Sequence, residues 1–160
     1  MDILKERFFA QSKLQPYDEA LRDLVVGTFT YLSHTPLKQM GINIEMHFPM
    51  ESEEKWHNAG HKLAPKEIWN GLLERPGMRN LVMEESPRRD GRRGTIQVHV
   101  SPSSEVRPGL KILVNDHVEV KDPATTMGSD EIIETLKIMW PESRKRSEKI
   151  IQDLRERLSE

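Results

Sequence analysis

Between residues 40 and 48, apolar and polar side chains alternate. Ile42, Ile44, Met46 and Phe48 fall on one side, and Asn43, Glu45 and His47 on the other. A period of two is that of a strand with one buried face. Thr35-Pro36 marks the end of the element before it, because a residue preceding proline avoids the helical region. That earlier element has a helical period, with Ala20, Leu21, Leu24, Val25, Thr28, Phe29 and Leu32 recurring on one face. Pro16 suits its first position, and Asp18 and Glu19 suit its first turn, where the helix dipole favours negative charge. Gly27 weakens this helix by ~1 kcal/mol relative to alanine. Upstream, residues 7–11 carry Phe8 and Phe9 and read as an edge strand or as the lead-in to the helix.

Ser52 is placed to cap a helix, with Glu53 and Glu54 behind it and an apolar stripe of Trp56, Ala59 and Leu63. Pro65 then restarts a second short helix carrying Ile68, Trp69, Leu72 and Leu73, and Pro76-Gly77 stops it. Three strands are expected next, over 78–85, 94–101 and 110–120. The link SPRRDGRR between the first two contains Asp90-Gly91, a hairpin signal, and Pro108-Gly109 opens the third. Ser129 is a further N-cap candidate. Behind it, Ile132, Ile133, Leu136, Met139 and Trp140 share a helical face. Pro141 has no N–H to give and crowds the preceding turn, so it must break or kink that helix. The stripe resumes at Ile150, Ile151, Leu154 and Leu158.

The order is helix, strand, two short helices, three strands, long helix. Strands joined by hairpins after helices indicate α+β, with a mostly antiparallel sheet of about four strands and helices on one face. A long kinked C-terminal helix completes it. A chain of 160 residues suits one α+β domain over 1–128, with the helical segment 129–160 packed on it.

Composition narrows the function. The net charge of -2 argues against a protein whose main work is coating nucleic acid or a membrane, although a local patch can still act. The absence of cysteine removes disulfides, thiolate metal sites and cysteine nucleophiles. MDILKERFFAQSK lacks the apolar core of a signal peptide. The apolar runs are far short of the ~20 residues of a membrane helix. A cytoplasmic protein with no membrane association is expected.

Candidate chemistry collects on the polar side of the strands. Ile96, Val98 and Val100 point one way in the second of the three expected strands, and Thr95, Gln97 and His99 the other. In the third, Leu110, Ile112 and Val114 point in, and Lys111, Asn115, His117 and Glu119 point out. If these strands are neighbours, His47, His99 and His117 share a face, with Asn43, Glu45 and Glu119 nearby. Imidazoles and carboxylates are what a transition metal or an acid–base site requires. A solvated polar face is the more ordinary reading, and an open sheet face is also a natural docking surface for a second copy. Asp116 falls on the apolar side; a bulge near Asn115-Asp116 would relieve it and re-aim His117.

Other clusters are weaker. His57 and His61 are four apart, a spacing that can hold zinc, but two ligands do not make a site and the metalloprotease glutamate is missing. Arg88, Arg89, Arg92 and Arg93 surround the Asp90-Gly91 turn and could grip phosphates, although no aromatic residues lie nearby for base stacking. There is no G-x-S-x-G elbow and no phosphate-cradling glycine loop, and no motif implies a cofactor.

The run H-T-P-x-x-x-x-G-I-N, formed by His34, Thr35, Pro36, Gly41, Ile42 and Asn43, resembles a run in small bacterial proteins of unknown function. The resemblance implies a bacterial or phage origin and no particular activity. The reading favoured by the sequence is a non-enzymatic domain that self-associates or docks a protein partner through its open sheet face or terminal helix. The alternatives are a metal-dependent or acid–base enzyme built on His47, His99 and His117 with Glu45 and Glu119, and nucleic-acid binding through Arg88, Arg89, Arg92 and Arg93.

Overall fold

The computed structural model describes residues 7–13 and 18–159. The elements in chain order are α1 (Asp18–Tyr31), β1 (Gln39–Pro49), α2 (Glu53–Leu63), a 3-10 turn (Glu67–Trp69), β2 (Leu81–Glu85), β3 (Gly94–Pro102), β4 (Gly109–Glu119) and α3 (Asp130–Ser159). Pro16, expected at the first position of α1, lies outside the described residues. Residues 7–12 form neither strand nor helix; Phe8 packs edge-on against Phe29 of α1. The strands make one antiparallel sheet in the order β1-β4-β3-β2, so the α+β class read from the sequence is the observed one.

The register sorts the side chains as the alternation predicts. Ile42, Ile44, Met46 and Phe48 lie opposite Asp116, Val114, Ile112 and Leu110, and Ile96, Val98 and Val100 continue the same rows. This face meets α3, which packs on β1 and β4, with α1 and α2 flanking it. The two halves of α3 close two core clusters. Ile132, Leu136 and Met139 pack with Ile42, Val118 and Val120, against which Val25 and Val26 of α1 rest. Ile151 and Leu158 pack with Phe48, Ile112, Val114 and Ala59 of α2. Ser52 caps α2 by accepting from the Lys55 N–H, as expected. Ser129 ties α1 to the start of α3, its hydroxyl donating to the Phe29 carbonyl at 2.8 Å.

Four local expectations change. Residues 65–75 do not form a second helix: only the turn Glu67–Trp69 is helical, and Gly71 takes a positive φ of 80°. Ile68, Trp69, Leu72 and Leu73 stand exposed, and a short helix that buries no apolar face is not stable. There is no bulge at Asn115-Asp116; β4 keeps one register with both neighbours, and Asp116 stays on the covered face. The helix α3 runs through Pro141 without a break. Pro141 and Lys137 are both exposed, so the carbonyl left without its helical donor is on the solvent side. Finally, β2 begins at Leu81, not at 78.

Gly94 permits the tight start of β3. Its φ is +119°, and a Cβ there would collide with the His117 carbonyl of β4. The loop before it therefore lies hard against the end of β4, which is what carries Arg88 inward beside Asp116.

Candidate functional site

The face of the sheet away from α3 is polar, and its side chains are largely engaged with one another. The Asn115 amide donates to Asn43 Oδ1 at 2.6 Å, and Gln97 Nε2 donates to Glu84 Oε2 at 2.6 Å. Gly41 leaves room for this ladder, since a Cβ there would press on Asn115 Nδ2 at 2.9 Å. His47, His99 and His117 all lie on this face, yet they do not converge. His47 sits opposite Lys111, His99 opposite Leu113, and His117 opposite Gly41 and Thr95. From the row of Lys111 to that of His117 the strand covers about 20 Å. Among the described residues, no group of three or more histidines, aspartates and glutamates is arranged to hold a metal ion. His57 packs on Trp56 with ring centroids 5.0 Å apart, and both His57 and His61 are exposed.

His47 is the most elaborately held of the three. Ser103 Oγ accepts from the backbone N–H groups of Glu105 and Val106, both at 3.0 Å, which leaves its own proton to donate to His47 Nδ1 at 2.8 Å. The other ring nitrogen, Nε2, faces Glu45 Oε1 at 3.1 Å, and the carboxylate there can only accept. Burial pushes the Glu45 carboxyl up, but the hydrogen bond with His47 and the Lys111 ammonium outweigh it and hold it below its ordinary value. The order serine, histidine, glutamate is that of a nucleophilic triad. Ser103, however, is buried, and its two lone pairs are filled by backbone donors. The group latches the β3–β4 loop to β1 instead of presenting a nucleophile.

The arginine loop folds differently from an open basic tip. Arg88 is buried, with both of its carboxylate partners on the inner side of the loop. Its Nη1 donates to Asp116 Oδ1 at 2.5 Å and to the His117 carbonyl at 2.8 Å; Nε and Nη2 grip the two oxygens of Asp90 at 2.9 and 2.5 Å. From α3, Arg146 reaches Asp90 Oδ2 at 3.3 Å and lies 3.8 Å from Asp116 Oδ2, while Glu142 meets Arg92 at 3.3 Å. Three cations (Arg88, Arg92, Arg146) thus face three anions (Asp90, Asp116, Glu142). Arg89 pairs with Glu85 at 3.0 Å, and Arg93 donates to the Lys121 carbonyl at 2.9 Å. This balanced cluster explains how Asp116 is tolerated among apolar neighbours.

The cluster carries a pH signature. The Arg88 guanidinium holds the Asp90 carboxyl well below its ordinary value of 3.8, against the upward push of burial and with help from the Arg92 N–H. A depressed carboxylate contributes stability that is fully present above its unfolded value and is lost as pH falls through the folded one. Wild-type protein should therefore lose denaturant resistance between about pH 5 and about pH 2.5, and Asp90→Asn should show a shallower loss over that window. Urea midpoints at the two pH values check this.

Among the described residues, six of the thirteen exposed large apolar side chains lie along the stretch that enters the sheet edge, the others being spread over residues 8–9, 24–32, 127 and 138. Ile68 is 74% exposed, Trp69 44%, Leu72 73% and Leu73 54%; in β2, Val82 is 43% and Met83 61% exposed. Met83 points to the same sheet face as Val98 and Ile96, the face that α3 covers, but α3 packs over β1 and β4, toward the opposite edge of the sheet from β2. Beside it, among the described residues β2 pairs only with β3, and its second edge has no strand on it. The sequence holds a signal for this surface: Ile68, Trp69, Leu72 and Leu73 between Pro65 and Pro76-Gly77 have helical spacing, yet they form no helix and stand exposed. The stripe of α3, by contrast, is spent inside the fold. No family model matches the chain, and neither does any curated protein or solved structure.

Proposed function

We propose that this protein is a non-catalytic interaction module whose docking surface is the uncovered apolar stretch from Ile68 to Met83. The observation that supports this reading is the exposure of six large apolar side chains along one piece of chain that ends in an open strand edge. Scattered exposed apolar residues are ordinary on a protein surface, but several together beside unpaired backbone groups favour a partner. The polar sheet face offers less to a partner, because its amides and carboxylates already satisfy one another.

Substitution separates the two surfaces. Leu72→Glu places a charge where the side chain is already in solvent, so stability should move by no more than about 0.5 kcal/mol. Proteins retained by the wild-type chain should be lost by Leu72→Glu and kept by His117→Ala, which lies on the sheet face between β1 and β3. Equal retention by all three forms contradicts the reading, as does loss confined to His117→Ala.

A further inference from the structure

We propose that the partner on β2 is a second copy of this chain, paired antiparallel about a two-fold axis at Val82 to give one eight-stranded sheet, four strands from each copy. The proposal rests on the reading of residues 68–83 as a docking surface. It is carried by the sequence of the edge itself, which is complementary to its own reverse. With Val82 opposite its counterpart, Leu81 faces Met83 of the other copy, Asn80 faces Glu84 and Arg79 faces Glu85. Apolar residues meet apolar ones and each carboxylate meets a donor. Shifting the axis to Met83 would set Val82 against Glu84 and Leu81 against Glu85, burying carboxylates on apolar side chains. The symmetric pairing therefore has one favoured register.

The surrounding charges agree. Lys66, Glu67, Glu74, Arg75 and Arg79 have no ion pair among the described residues, whereas the arginines just beyond β2 are all engaged. Unpaired charges of both signs suit a two-fold partner, in which the acid of one copy can meet the base of the other; they do not suit a partner of uniformly one sign. The chain's net charge of -2 adds little repulsion between copies. Glu85 already pairs with Arg89 at 3.0 Å, and Arg89 is exposed enough to share it.

Charge exchange provides the test. In sedimentation equilibrium, the wild-type chain should dimerise. Arg79→Glu and Glu85→Arg should each weaken the dimer by about tenfold or more, because each sets like charges against each other twice in the assembly. The double variant Arg79→Glu/Glu85→Arg should recover most of the loss. Since the chain has no cysteine, Val82→Cys should form a disulfide-linked dimer under mild oxidation, and Lys111→Cys on the sheet face should not. A wild-type chain that stays monomeric at high concentration overturns the pairing while leaving other partners for the Ile68–Met83 surface, judged by the Leu72→Glu comparison above. A dimer indifferent to both single exchanges and untrapped at position 82 uses another surface and overturns it equally.

Discussion

Replacing Arg88 with leucine is expected to lower the free energy of unfolding by about 3–5 kcal/mol, the range for breaking a buried ion pair by removing one partner. The guanidinium is enclosed and makes four hydrogen bonds: two to Asp90, one to Asp116 and one to the His117 carbonyl. Its loss leaves the Asp116 carboxylate on the apolar face opposite Ile42 and Ile96, where Oδ2 already lacks a hydrogen-bond donor. Arg88→Lys should also be costly, because one ammonium cannot hold the Asp90 fork and reach Asp116 together. Adding Asp116→Val to Arg88→Leu should restore part of the loss, since the stranded charge is then gone and Asp90 keeps Arg92 and Arg146. Urea titration with an unchanged slope would measure all three. A loss under about 1 kcal/mol for Arg88→Leu would mean that the cluster is not buried in solution.

The second large effect is expected at Ile112, where alanine should cost about 2–5 kcal/mol. Ile112 is fully buried on an interior strand, opposite Met46 on one side and Val100 on the other, and belongs to the cluster that Ile151 and Leu158 of α3 complete. Removing three carbons forfeits about 0.8 kcal/mol for each, and neighbours held by two strands and a helix cannot collapse fully into the gap. The same measurement on Leu72→Ala should give a change within about 0.5 kcal/mol, because that side chain is already in water. If the two variants lost similar stability, Leu72 would be packed and the apolar stretch would not be a free surface.

The contrast between Ile112 and Leu72 also marks how far the sequence could be read. Alternation along β1, β3 and β4 located the covered face correctly, because a period of two leaves no freedom once one face is buried. The same alternation put His47, His99 and His117 on the other face, but it carries no information on strand order. The order β1-β4-β3-β2 and the rows within it are what hold the three rings apart. Asp116 broke the pattern and suggested a bulge; the fold instead supplies a cation from a loop 28 residues away in sequence. The gap in the stripe of α3 was a trace of that cluster. Ser143 and Ser147 occupy the inward positions between Met139 and Ile151, fully buried, in the part of α3 that also carries Glu142 and Arg146. The stretch 65–76 misled for a different reason. Its apolar spacing matched a helix, and periodicity alone cannot tell a face that packs on its own domain from one left for a partner.

Hydrogen exchange followed by mass spectrometry, at increasing protein concentration, tests most directly the claim that residues 68–83 form the docking surface. Slower exchange is expected only in peptides covering the Ile68 loop and β2, with β1 and α3 unchanged. Slowing along Gln39–Pro49 or across α3, with the β2 peptides unaffected, would contradict it.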